Sequence, residues 1–217
     1  MTGLLLAAIL LQGAPSQQIR LRNGTLEERP GGAGIAALWS QLAASRPGAF
    51  WIGYAVEGRA QCWENCCRED RPIRLERNGP VAVLYRIDQQ RLDRIRTAPL
   101  DCEVDAGGLP VVWLSGVRPG DSVAHLTALS DARGAVPALA MHSDAAALEA
   151  LLGLARTHAA ARVRGDALFW VAQRAGEKAV PVITGAIEND PDTDVRKRAV
   201  FALSQLPKEE SDRKSVV

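Results

Sequence analysis

The chain has 217 residues, enough for one large domain or two small ones, and its 47% hydrophobic and 24% charged residues are typical of a protein that buries a core. Its 26 Lys and Arg nearly balance its 25 Asp and Glu, which gives a formal net charge of +1. Nucleic-acid-binding proteins usually carry a basic field, so this balance argues against a nucleic-acid partner.

The first residues are typical of a secretory signal peptide. Leu4–Leu11 is an unbroken apolar run, too short for a membrane-spanning helix, which needs about 20 apolar residues. Ala14 and Ser16 follow as the small residues that signal peptidase reads. An uncleaved anchor and a buried N-terminal helix are the alternatives. We expect residues 1–16 to be removed, and a mature chain with no membrane span in a periplasmic or extracellular location.

Residues 17–120 predict an α+β domain. Strands are predicted at 19–26, 49–56 and 110–114, with a hairpin formed by 81–87 and 91–97 around Asp88-Gln89-Gln90. A short amphipathic helix is predicted at 35–44, because Ile35, Leu38, Trp39 and Leu42 recur at helical spacing.

Four cysteines lie in this domain, at Cys62, Cys66, Cys67 and Cys102. An even number in an exported chain is typical of structural disulfides. A zinc site would need two closely spaced cysteine pairs, and a redox site would need Cys-x-x-Cys, so both are weaker alternatives. We expect at least one long-range disulfide, from Cys102 to Cys66 or Cys67.

Three carboxylates alternate beside the Gly107-Gly108 turn, at Asp101, Glu103 and Asp105. Alternate residues of a strand share a face, which would suit a divalent cation or acid–base chemistry. The spacing of a calcium loop is absent, so a solvated sheet edge with a tight turn is the favoured interpretation.

Residues 121–217 are rich in Ala and Leu and repeat with a step of 32 residues. Ala135, Ala167 and Ala199 align, as do Leu139, Val171 and Leu203. A fixed period of this length predicts a solenoid, in which each unit contributes two helices. In the third unit, Asp190 is predicted to cap the first helix and Pro191 to occupy its first position, and the second helix is incomplete.

The segment 189–203 carries an Asp-Pro opening, then Val195-Arg196 and an Ala-x-x-Ala-Leu ending. It resembles the start of a HEAT repeat of the short bilin-lyase-like type, and the three units extend the resemblance over residues 131–217. The whole chain is similar to exported bacterial HEAT-repeat proteins of poorly understood function. The predicted fold is therefore an α+β domain followed by an all-α, HEAT-like solenoid.

A solenoid presents one layer of helices to a partner, so we expect a non-catalytic protein–protein interaction or scaffolding module of the cell envelope, without a cofactor or metal. Gln173, Arg174 and Gln205 recur near the ends of first helices and are the candidate partner-binding residues; helix capping is the alternative. The other possible function is an enzyme that acts on an envelope substrate through its N-terminal domain. Convergence of the carboxylates and cysteines on one cleft would favour it.

The three histidines, His125, His142 and His158, are too far apart for a metal pair on one helix. They are predicted to lie at the surface or at helix ends.

Overall fold

A computed structural model of the chain describes residues 18–60 and 77–206. The described strands are β1 Arg20–Arg22, β2 Leu26–Pro30, β3 Phe50–Ala60, β4 Arg77–Asp88, β5 Arg91–Pro99, β6 Glu103–Asp105 and β7 Val111–Ser115. The described helices are α1 Ile35–Ser45, α2 Pro119–Ala128, α3 Ala135–Ala140, α4 Ala145–Thr157, α5 Ala161–Ala175, α6 Val180–Asn189 and α7 Thr193–Ser204. A 3-10 turn, Gly176–Ala179, leads into α6.

The main sheet has five strands in the order β2-β7-β3-β4-β5. β7 runs parallel to both β2 and β3, whereas β3, β4 and β5 are antiparallel. The predicted hairpin is confirmed as β4 and β5. Gln89 and Gln90 form its turn with φ of 48° and 63°, as in the two-residue turns that match the twist of a hairpin. β1 and β6 form a separate parallel pair, whereas β2 begins at Leu26 and belongs to the main sheet. The prediction of a single strand at 19–26 is therefore wrong.

Side chains alternate between the two faces of the sheet, and both faces are covered. On one face, Ile52, Tyr54, Val83 and Tyr85 pack against the helices. On the other face, a smaller cluster contains Trp51, Leu84 and Trp113 together with residues around β1 and β6. β7 is buried along most of its length because it lies between two strands and contributes to both clusters.

The predicted fold of an α+β domain followed by an all-α solenoid is wrong. The described chain is a mixed α/β structure in which one continuous core joins the sheet to the helices, from Ile35 to Ala202. Backbone hydrogen bonds also cross between the two halves, from Arg59 N to Met141 O and from Ile95 N to Arg133 O. The apolar stripe of α3 therefore packs against the sheet as well as against other helices, and a stripe on a helix does not indicate which partner covers it.

The 32-residue step nevertheless corresponds to structure. Ala135, Ala167 and Ala199 lie on α3, α5 and α7, and none of them is exposed. α5 packs against both α3 and α7, while α4 packs against α5 and α6 packs against α7.

The start of α7 differs from the prediction. Asp192 caps the helix, because its carboxylate accepts hydrogen bonds from the backbone N–H groups of Asp194 and Val195. Asp190, the predicted cap, instead pairs with Arg164. Pro191 consequently lies before the helix.

Several predictions concern residues outside the described ranges. These are the signal peptide at 1–16, Cys62, Cys66 and Cys67, and the chain beyond residue 206. Within the described ranges, no helix is long and apolar enough to cross a membrane.

Candidate functional site

The most distinctive surface of the described chain is an apolar strip formed by Pro137, Phe169 and Phe201, one residue each from α3, α5 and α7. The rings of Phe169 and Phe201 are stacked, with centroids 6.2 Å apart and planes inclined by 13°. All three residues border a groove of about 410 Å³. Phe201 is 55% exposed and its neighbour Val200 is 54% exposed. Adjacent exposed apolar residues beside a groove make this surface a candidate interaction site.

Ionic side chains border the apolar strip. Asp166 lies between Arg162, at 3.3 Å, and Arg198, at 2.6 Å. Arg162 also donates to the backbone carbonyl of Asp131. An apolar centre with a charged margin is the usual composition of a protein–protein interface.

Close packing of α5 and α7 creates the strip. A Cβ atom at Gly165 would lie 2.5 Å from Cδ of Arg198, so the Arg198 side chain crosses α5 at a position that has no side chain. Phe169 and Phe201, which occupy equivalent positions in successive units, stack beside this contact. The sequence contained this signal, since Phe169 and Phe201 recur with the 32-residue step, but recurrence alone did not show which residues are exposed.

The predicted partner-binding residues lie close to this surface but bind within the chain. Nε2 of Gln173 donates to the backbone carbonyl of Gln205, 3.1 Å away. The Arg174 guanidinium donates to the carbonyls of Ala140 and His142 at the end of α3, and burial lowers its pKa. The side chains of Gln173 and Arg174 therefore join neighbouring helices, and Gln205 takes part through its backbone carbonyl.

A chain of hydrogen bonds inside the core was not anticipated from the sequence. It links Tyr85 Oη to Tyr54 Oη (2.6 Å), Tyr54 Oη to Ser122 Oγ (2.6 Å), and Ser122 Oγ to His142 Nε2 (2.8 Å). The other ring nitrogen of His142 lies 2.9 Å from the carbonyl oxygen of Ala138 and must donate to it. Nε2 then accepts from Ser122 in the neutral imidazole, and each hydroxyl donates to the next group.

This network has the geometry of a nucleophile and its base, since Ser122 Oγ is within hydrogen-bond distance of an imidazole. However, Ser122 is fully buried and His142 is only 1% exposed. Burial also lowers the pKa of His142, which favours the neutral ring. The network thus fixes α2 and the end of α3 on the sheet, and a substrate cannot reach it in this conformation. His142 lies at a helix end, as predicted, but is buried.

We expect Tyr54→Phe to destabilise the protein by about 2 kcal/mol and Tyr85→Phe by about 1 kcal/mol. Tyr54 is in the middle of the network, so loss of its hydroxyl leaves the Tyr85 hydroxyl without an acceptor and Ser122 without a donor. Tyr85 is at the end, and its loss leaves the remaining bonds intact. Urea unfolding of both variants measures the difference. Equal costs, or a larger cost for Tyr85→Phe, would contradict the proposed direction of donation.

The predicted carboxylates do not form a cleft. Asp101 and Glu103 are exposed, whereas Asp105 accepts hydrogen bonds from Gly107 N, Asn23 and Arg22. These bonds, that from Gly107 first, lower the pKa of Asp105. No three potential metal ligands come together among residues 18–60 and 77–206. The interpretation as an edge with a tight turn therefore describes Asp105 well.

Cys102 is buried and is not a free thiol. Its predicted partners Cys66 and Cys67 lie outside the described ranges, so the disulfide stays a prediction.

The other two histidines differ in their surroundings. His158 follows α4, and its Nδ1 accepts a hydrogen bond from Ala160 N at 3.1 Å. His125 packs between Trp39 and Tyr85, with ring centroids 5.4 and 5.6 Å away. Its Nε2 is buried without a hydrogen-bond partner among the described residues, and burial lowers its pKa.

A larger groove, of about 520 Å³, lies between α4 and α6 on another side of the helices. Its most buried polar groups are already paired. Arg164 and Asp190 bind each other, and Asn189 donates to the carbonyl of Gly185. The groove lacks a set of convergent, unpaired polar groups, which a small-molecule site generally has.

Comparison of the chain with protein-family models, with curated proteins and with solved structures finds no match. The resemblance to HEAT repeats therefore stays an interpretation of the sequence pattern.

Proposed function

We propose that this protein is a non-catalytic interaction module of the cell envelope, which binds another protein through the apolar strip. The observation that carries the proposal is the stacked pair Phe169 and Phe201, since Phe201 remains 55% exposed and has ionic groups at its border. Partially exposed aromatic side chains of this kind are common among the residues that contribute most to binding energy. The export that would place the protein in the envelope is part of the same proposal.

The described residues favour this proposal over an enzyme of the N-terminal domain. Of the carboxylates predicted for such an enzyme, Asp101 and Glu103 are exposed and Asp105 stabilises a turn. The Ser122–His142 pair is enclosed by the core. The exposed carboxylates therefore do not surround a cleft, and the enclosed Ser122–His142 pair is out of reach of a substrate in this conformation.

Photo-crosslinking in the producing cell tests the proposal. We expect p-benzoylphenylalanine at position 169 to give a discrete crosslinked product, because the analogue keeps an aromatic ring in the apolar strip. The same residue at Arg91, which is exposed at the start of β5, serves as the control position.

The crosslinked protein is then identified by mass spectrometry and its affinity for the purified chain is measured. We expect Phe201→Ser to raise the Kd at least tenfold, which corresponds to about 1.4 kcal/mol. An affinity unchanged by Phe201→Ser, or the same product from positions 169 and 91, would refute the apolar strip as the binding site.

A further inference from the structure

Residues 32 positions apart occupy equivalent positions on α5 and α7. The side of α5 that is covered by α7 therefore has a counterpart on α7. α5 faces α7 with the stripe Gly165, Leu168, Phe169 and Ala172, as shown by the contacts of Gly165 with Arg198 and of Phe169 with Phe201. The equivalent stripe of α7 is Lys197, Val200, Phe201 and Ser204. We call these four residues the open face of α7.

Equivalent residues differ sharply in burial. Leu168 and Ala172 are completely buried, whereas Val200 is 54% exposed and Ser204 is exposed. Among the described residues, the Phe169 ring of α5 stacks against Phe201, while Lys197, Val200 and Ser204 are exposed. An apolar residue that is covered on α5 is therefore uncovered on α7.

The arginines that precede the two stripes, Arg164 on α5 and Arg196 on α7, can be compared in the same way. Nη1 of Arg164 donates to the carbonyl of His158, and Nη1 of Arg196 donates to the carbonyl of Asp190, which is the equivalent bond one unit later. Arg164 also binds the Asp190 carboxylate through Nε and Nη2, at 2.8 Å each. Arg196 forms no salt bridge among the described residues, and its Nη2 donates to Thr193 Oγ1 at 2.9 Å instead. It thus repeats a carboxylate-binding position that is filled on α5.

The charge of the surface selects the type of partner. On α5, Gly165 and Asp166 accommodate the cation Arg198 of the next helix. The equivalent residues on α7 are Lys197 and Arg198. They pair with Asp194 and Asp166, but their side chains remain 73% and 49% exposed, so the position favours an anion over a further cation. A second copy of the chain would bring two clusters of Arg196, Lys197 and Arg198 together, which disfavours self-association.

We propose that the open face of α7 binds a helix of a different protein, one that carries an acidic residue just before its first turn. That residue would occupy at Arg196 the place that Asp190 occupies at Arg164. A second acidic residue, eight positions later in the partner helix, would lie beside Lys197 and Arg198. It would correspond to Arg198 of this chain, which lies beside Gly165 and Asp166 of α5. The inference rests on the proposed function and names the class of partner.

A peptide derived from the chain itself tests this inference. The probe is the sequence of residues 188–206 with Arg198→Glu, labelled with a fluorophore, and the comparison peptide keeps arginine at that position. We expect the glutamate peptide to bind the full chain at least tenfold more tightly in fluorescence anisotropy. Its binding should weaken as salt is raised, because the contacts are ionic and partly exposed.

Variants of the full chain locate the binding site. Val200→Asp, which places a charge on the open face, should raise the Kd of the glutamate peptide at least tenfold. Arg196→Gln should raise it at least fivefold, and Asp→Asn at the peptide position equivalent to Asp190 should have a similar effect. Lys178→Gln removes the same charge from an exposed residue outside α7 and should leave the Kd unchanged.

Two results would overturn the inference. Equal binding of the two peptides would remove the charge argument, and a chain dimer that Val200→Asp disrupts would assign the open face to a second copy. The proposed function is tested separately, by the effect of Phe201→Ser on the Kd of the partner that is captured at position 169. If that complex survives Val200→Asp while the peptide fails to bind, only the present inference is wrong.

Discussion

Asp190→Asn is expected to lower the free energy of unfolding by about 3–5 kcal/mol, because it leaves the Arg164 guanidinium buried without a counter-charge. The two side chains are only 10% and 7% exposed, and two hydrogen bonds of 2.8 Å join them. Asp190 also accepts from Asp192 N, so its carboxylate holds the turn before α7 as well. Chemical denaturation of the full chain, followed by circular dichroism, measures the change.

Asp194→Asn is the matched control. Asp194 pairs with Lys197 on the same helix, but the side chains of this pair are 82% and 73% exposed. Exposed ion pairs contribute about 0–1 kcal/mol, so this change should cost less than about 1 kcal/mol even with the small loss at the helix N-terminus. Similar losses for Asp190→Asn and Asp194→Asn would mean that the Arg164–Asp190 pair is not the structural contact described.

The Arg164–Asp190 pair also makes the free energy of unfolding depend on pH in the acid range. Hydrogen bonds from Arg164 are the main cause of the lowered pKa of Asp190, followed among favourable causes by the bond from Asp192 N and the positive charge of Arg164. The stabilisation is therefore complete above the ordinary pKa of 3.8 and is lost as the pH falls through the lowered pKa. Asp190→Asn should lack this part of the acid dependence.

The sequence identified elements better than their arrangement. The helix Ile35–Ser45 and the hairpin of β4 and β5 follow from local periodicity and a local turn. The parallel pairing of β7 with β3 joins residues such as Val111 and Trp51, which are far apart in the chain. No local pattern encodes that pairing, because an apolar run reads the same in parallel and antiparallel neighbours.

The recurrence of residues was a partial guide to the site. Phe169 and Phe201 recur because equivalent helices lie side by side, and their exposure makes them candidates for binding. Gln173 and Gln205 recur for the same reason, but a hydrogen bond between them holds α5 to α7. Sequence alone cannot separate the two cases, since helix packing and partner binding both favour repetition at a fixed step.

The buried network could not be predicted, because its members come from β3, β4, α2 and the end of α3. Tyr54 and Ser122 are 68 positions apart, and each looks ordinary in its own segment. Burial of a hydroxyl group is costly unless the group is hydrogen-bonded, so the network shows that these elements share one core.

Gly58 lies where β3 meets the end of α3. Arg59 N donates to Met141 O at 2.8 Å, and Ser143 N donates to Glu57 O at 3.0 Å, so the backbone of β3 pairs with the segment that carries His142. A Cβ atom at Gly58 would lie 2.2 Å from the carbonyl oxygen of Met141. Since backbone atoms on both sides form this contact, no side-chain rotation can relieve it.

Gly58→Ala is therefore expected to destabilise the protein by about 3 kcal/mol, at the upper end of the usual cost of overpacking. Gly79 is the matched control, because it pairs directly with Gly58 in β4 and its Cβ would meet nothing within 4 Å. Gly79→Ala should change the stability by less than about 0.5 kcal/mol. Thermal and urea unfolding of the two variants measure the contrast, and near-ultraviolet circular dichroism reports the buried tyrosines. If Gly58→Ala unfolds like Gly79→Ala, then β3 does not pack against the end of α3 as described, and the sheet and helices do not form one core.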